Sequence, residues 1–180
     1  MSFLKLLGLA SGTRTQRSSG SETETVRKIV AELDNLPEDR ARFVASFAYI
    51  LSRVARADLH VSPAEIETME RIVVEHGHLP EEQAIIVVQM AKSQNALFGG
   101  TENYVVTREF NELAGREQKL ALLDCLFAVS AADDSISTAE DNVIRQIAAE
   151  LKLDHSDFID VRSRYRDKLA VLKRPPGENG

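Results

Sequence analysis

A stretch of 25 residues recurs in this chain. VARADLHVSPAEIETMERIVVEHGH, residues 54–78, aligns without gaps on VSAADDSISTAEDNVIRQIAAELKL, residues 129–153, at a constant offset of 75. Val54/Val129, Ala57/Ala132, Asp58/Asp133, Ser62/Ser137, Ala64/Ala139, Glu65/Glu140, Ile72/Ile147 and Glu75/Glu150 are identical pairs. Val61/Ile136 and Met69/Ile144 are conservative. Each copy reads helix, then A-D-x-x-[VI]-S-x-A-E, then helix. A duplicated unit with one apolar face can bury that face against its own copy, so two helical hairpins packed around an approximate two-fold axis are expected.

Helical periodicity runs through the rest of the body, and glycine and proline fall almost entirely at boundaries. The pattern predicts helices from Pro37 to about Arg56, from Ser62 to near Gly77, from Pro80 onward, and around Val105–Leu113. Further helices are expected from Gly115 to about Ala132, from Ser137, and from about Ser156 to Leu172, with a weaker one around Thr23–Leu33. The fold class is all-α, with seven to eight helices built around two duplicated helix–loop–helix units. Residues 1–23 read as a short apolar N-terminal segment plus a flexible linker, 24–173 as the helical domain, and 174–180 as a disordered tail.

Composition excludes several functions. A formal net charge of −6 argues against non-specific nucleic-acid binding, which needs a basic surface to displace counterions. Cys125 is the single cysteine, so an internal disulfide or a cysteine-based zinc cluster cannot form, and LLDCLFAV makes it a small buried hydrophobe suited to a reducing cytoplasm. No run of about 18 apolar residues is present to span a membrane as a helix. The start, MSFLKLLGLASG, places Phe3, Leu4, Leu6, Leu7 and Leu9 around Lys5 without a signal-peptide cleavage pattern. Residues 3–9 are therefore a candidate surface anchor for peripheral membrane contact, or a segment that packs on its own domain.

The repeated motif carries most of the recognisable chemistry. Ser62-Pro63-Ala64-Glu65 and Ser137-Thr138-Ala139-Glu140 are capping boxes, worth about 1 kcal/mol each, with Val61 and Ile136 as hydrophobic staples. Asp58 and Asp133 close their leading helices, where the dipole disfavours a carboxylate by roughly 0.3–1 kcal/mol. The partner that compensates is the turn's N–H groups, an arginine such as Arg53 or Arg56, or a cation. The string D-x-x-[VI]-S-x-x-E resembles the second half of a calcium loop, but the first half is absent. A site shared between the loops, drawing on Asp58, Glu65, Asp133, Asp134 and Glu140, would favour a hard divalent cation, Ca²⁺ or Mg²⁺. His76-Gly77-His78 reads as a helix end, and Arg162, Arg164, Arg166, Lys168, Lys173 and Arg174 as a solvated basic face. GxSxG, HExxH, P-loop and Rossmann glycine patterns are all missing.

At these residues the chain resembles the TerB-like family of tellurite-resistance-associated proteins in its short bacterial form. ARADLHVSPAE, the segment from TENYVV through DVRSRY, and the MSFLKLLG start carry the likeness. The resemblance implies an all-α fold and an interaction or metal-sensing module loosely connected to tellurite or general stress; with the missing catalytic motifs and the lone cysteine, a non-enzymatic, cytoplasmic scaffold is the expectation. It also implies metal positions at Asp58, Glu65, Asp133 and Glu140. The family's usual ADG is here ADL and ADD, so the glycine that eases a positive φ is replaced by Leu59 and Asp134. The expected partner is a protein of unknown identity, with a homodimer as one option that nothing in the sequence requires; the runner-up reading is a membrane adaptor anchored by residues 3–9.

Overall fold

The computed structural model describes residues 20–55, 62–93 and 103–172. Eight α-helices lie among them: α1 (Gly20–Asp34), α2 (Glu38–Ser52), α3 (Pro63–Glu75), α4 (Glu81–Lys92), α5 (Asn103–Leu113), α6 (Arg116–Ser130), α7 (Thr138–Glu150) and α8 (His155–Ser163). The all-α reading holds. The duplication is visible in the helix bounds, since α3 and α7 are both 13 residues long and begin and end 75 positions apart. In each, the capping serine sits at φ −67° and ψ 157°. Identical side chains thus produce identical backbone entry into the helix. Elsewhere proline sets the start: Pro37 and Pro80 precede α2 and α4 with φ of −53° and −56°, the angle their rings impose.

The two leading helices form the centre. Along α2 every residue from Phe43 to Ser52 is buried, and α6 buries Leu122, Leu123, Cys125, Leu126 and Phe127 completely. The two touch each other, and α3 also packs on α6. Phe43 and Phe47 of α2 meet Phe110 of α5 with ring centroids 5.2 and 6.3 Å apart. On the other side Phe127 of α6 lies 5.8 Å from Phe158 of α8 and stacks on Tyr165 at 5.5 Å. Burial on this scale, at roughly 25 cal/mol per Å² of apolar surface, is the main favourable term for such a bundle. The copies are not buried equally. In α7 Ile144 and Ile147 are fully enclosed, whereas their counterparts Met69 and Ile72 in α3 are only partly covered.

Polar ties cross from one copy to the other. Arg53, which caps the end of α2, donates to both carboxylate oxygens of Glu150, the last residue of α7, at 2.6 and 3.1 Å. Thr107 of α5 and Gln146 donate to the same carboxylate at 3.0 and 2.9 Å, and Asn111 donates to the Glu150 carbonyl. In the opposite direction His76, the C-cap of α3, donates from Nδ1 to Asp124 of α6 at 2.7 Å.

The C-terminal end departs from expectation. The helix predicted to reach Leu172 stops at Ser163, and two 3₁₀ turns follow, Arg166–Lys168 and Ala170–Leu172. The chain turns back because Ile136 and Leu169 form a parallel bridge: Ile136 N donates to the Lys168 carbonyl at 2.7 Å and Ala170 N to the Ile136 carbonyl at 2.9 Å. Both side chains are then buried, which a straight helix could not achieve. The basic stretch is split: Arg164 and Arg166 are exposed, as a solvated face requires, Arg162 and Lys168 are partly covered, and Lys173 and Arg174 lie outside the described residues. Arg162 forms a two-pronged pair with buried Asp141 of α7, both contacts 2.8 Å, and Lys168 pairs with Asp134. Among the described residues no helix is long and apolar enough to cross a membrane. Residues 3–9 lie outside the described residues.

The Arg53–Glu150 tie has a pH signature. Burial alone would raise the Glu150 carboxyl, but Arg53, Thr107 and Gln146 outweigh it and hold the group below the ordinary carboxylate range. A carboxyl depressed by folding contributes stability above its unfolded value of about 4.3, and loses it as pH falls through the lower folded value. Glu150→Gln should cost about 2 kcal/mol at pH 7. In urea melts at stepped pH the gap between variant and wild type should narrow below about pH 4.3; a gap independent of pH would contradict this role.

Candidate functional site

The predicted acidic residues separate into distinct local roles. Asp58 lies outside the described residues. Glu65 turns back to the start of α3, where its carboxylate accepts the Ser62 N–H at 2.6 Å and the Ser62 hydroxyl oxygen accepts the Glu65 N–H at 3.3 Å. That backbone hydrogen bond, followed by the one from the side chain, pulls the Glu65 carboxyl below its usual range. Glu140 repeats the arrangement, taking the Ser137 N–H at 2.8 Å and the Ser137 hydroxyl at 2.6 Å.

Asp133 and Asp134 share one turn at the end of α6. Asp133 is exposed, and Asp134 adopts φ 64°, the left-handed region that the missing glycine would have served. Aspartate tolerates that region better than most side chains, so the turn survives the loss of glycine. The Lys168 ammonium lies against the Asp134 carboxylate. Among the described residues no three His, Cys, Asp or Glu side chains are grouped so as to hold a metal ion. A cation shared between the two loops would turn on Asp58.

A concavity lies elsewhere. A groove of about 480 Å³ opens between the end of α3, the first half of α6, and α8. Leu120, Ala121 and Val161 line it, with His76, Asp124, Asp157 and Arg164 among the polar groups. A smaller hollow of about 170 Å³ adjoins it, sharing His78, Glu117 and Ala121 and reaching Phe43 and Leu79. The turn after α3 shapes this junction. A β-carbon at Gly77 would stand 2.5 Å from the Val73 carbonyl oxygen and 2.9 Å from Phe47, so only glycine lets the chain pass this close to α2. His78 then takes φ 55° as the chain swings towards α4.

Asp124 is the hub of the groove. Besides His76, it accepts the Tyr165 hydroxyl at 3.0 Å on its carboxylate, while the same hydroxyl reaches its carbonyl at 3.2 Å. Arg164 stands 3.4 Å away. Burial, and after it the Asp124 charge, push the Tyr165 phenol well above its ordinary pKa, so it serves as a hydrogen-bond donor throughout the neutral range. Nearby, Asp157 accepts the Asp154 N–H at 3.2 Å to cap α8 and pairs with Arg116 of α6. Asp124 and Asp157 are thus each held in place by neighbouring side chains. Sequence reading did not assemble the groove. The one available signal was Asp124 itself, a lone carboxylate inside the apolar run LLDCLFAV.

Replacing Tyr165 by Phe keeps the ring on Phe127 but removes both hydrogen bonds to Asp124. The expected cost is about 1 kcal/mol in urea denaturation, with amide shifts at residues 76 and 164. An unchanged stability and spectrum would remove Asp124 as the hub.

The family model for tellurite resistance protein TerB matches residues 44–163, from within α2 to the last residue of α8. That span holds both copies of the repeat and every residue of the Asp124 hub except Arg164 and Tyr165. No curated protein and no solved structure matches the chain. With two thirds of its 180 residues under the one model, the chain belongs to the TerB family, tellurite resistance protein TerB.

Proposed function

We propose that this chain is a non-enzymatic interaction module of a tellurite or general stress response, and that its partner docks in the groove between α3, α6 and α8. The observation that carries this reading is the paired state of the groove's interior charges. Asp124 is engaged by His76, Tyr165 and Arg164, and Asp157 by Arg116 and the α8 cap. Carboxylates engaged this way are held in one geometry by charge-assisted hydrogen bonds. They are well suited to presenting a fixed surface, since little side-chain freedom is left to lose when a partner binds. The walls also come from both copies of the repeat, so the groove exists only in the assembled domain.

Site-specific photocrosslinking in cells tests this. A crosslinker at Leu120, inside the groove, should yield a discrete protein adduct, whereas one at exposed Arg71 on α3 should not. Equal adducts at both positions, or none at Leu120, would refute the groove as the docking site.

A further inference from the structure

We propose that the groove recognises a lysine or arginine side chain carried on an apolar segment of a protein partner; this rests on the interaction-module reading above and adds the partner's chemistry. Its lining holds four carboxylates, Glu117, Asp124, Asp157 and Asp160, against two arginines, Arg116 and Arg164. Arg116 pairs with Asp157 and Arg164 with Asp124. Glu117 and Asp160 are left exposed on opposite walls, one on α6 and one on α8, and neither side chain has a hydrogen bond or ion pair among the described residues. Between them the floor is apolar, formed by Leu120, Ala121 and Val161.

The two free carboxylates differ in what else explains them. Glu117 stands in the first turn of α6, where a negative charge is favoured by the helix dipole. Asp160 stands near the end of α8, where the same dipole opposes it. The C-terminal end of α3, which reaches the groove at His76, adds partial negative charge from its last carbonyls. A cationic head reaching between Glu117 and Asp160, with its aliphatic stem and apolar neighbours on the floor, satisfies all of these features together. An anionic ligand would meet the unpaired carboxylates, and a wholly apolar one would leave them unanswered.

The test is an ¹⁵N NMR titration of the full chain with three probes: acetyl-Ala-Leu-Lys-Leu-Ala-amide and its analogues with Gln or Glu in place of Lys. The Lys peptide should shift amides of residues 116–121 and 157–164 and bind about fivefold more tightly than the Gln analogue, the scale set by two exposed ion pairs. Glu117→Gln/Asp160→Asn, at two exposed positions, should abolish that preference, and added salt should weaken it. Groove shifts of equal affinity for the Lys and Gln peptides, or tighter binding of the Glu peptide, would overturn the cation preference and leave the docking reading standing. Absence of groove shifts with all three peptides at millimolar concentration would count against both.

Discussion

Each trailing helix of the repeat is held at its C-terminal end by the leading helix of the other copy. Arg53 on α2 grips Glu150 at the end of α7, and Asp124 on α6 grips His76 at the end of α3. The positions are related by the repeat, since Glu150 is the copy of Glu75, next to His76, while Asp124 is the copy of Tyr49, one turn before Arg53. The chemistry is reversed, with the N–H donor on the leading helix in one tie and on the trailing helix in the other. A helix C-terminus favours a positive partner and leaves carbonyls to satisfy, and both needs are met: His76 brings its own donor, and Glu150 collects Arg53, Thr107 and Gln146 while Asn111 takes its carbonyl.

These ties matter because hydrophobic burial alone sets no register. A leading helix buried nearly all round could slide or rotate against its neighbours at little cost, whereas a guanidinium–carboxylate fork is satisfied in one geometry. Arg162 and Asp141 do the same for α8 on α7. The groove is a consequence of this bracing. Its walls are the end of α3, α6 and α8, and the Asp124 hub that joins α3 to α6 also takes the Tyr165 hydroxyl from the segment after α8.

What the sequence disclosed followed locality. Ser62, Glu65, Ser137 and Glu140 were legible because a capping box is complete within four residues, and the repeat showed that both boxes build the same helix. Cys125 was legible from its apolar neighbours. Arg162 was not, because its partner Asp141 is 21 residues away and a basic stretch looks the same whether solvated or paired. The early end of α8 was hidden for a similar reason. Tyr165 and Leu169 fit a helical stripe, and only the distant Phe127 and Ile136 draw them out of it. The site suffered most: His76, Asp124 and Tyr165 stand 48 and 41 residues apart along the chain, with no spacing rule to connect them.

The central claim is that the crosswise ties make the two copies one cooperative unit. Native-state hydrogen exchange on wild type and Arg53→Met tests it directly. The account predicts that slow amides of α3 and α7 share one opening free energy in the wild type and lose protection by the same amount in the variant. Loss confined to α7, with α2 and α3 keeping wild-type protection, would show that each copy stands alone and would contradict the account.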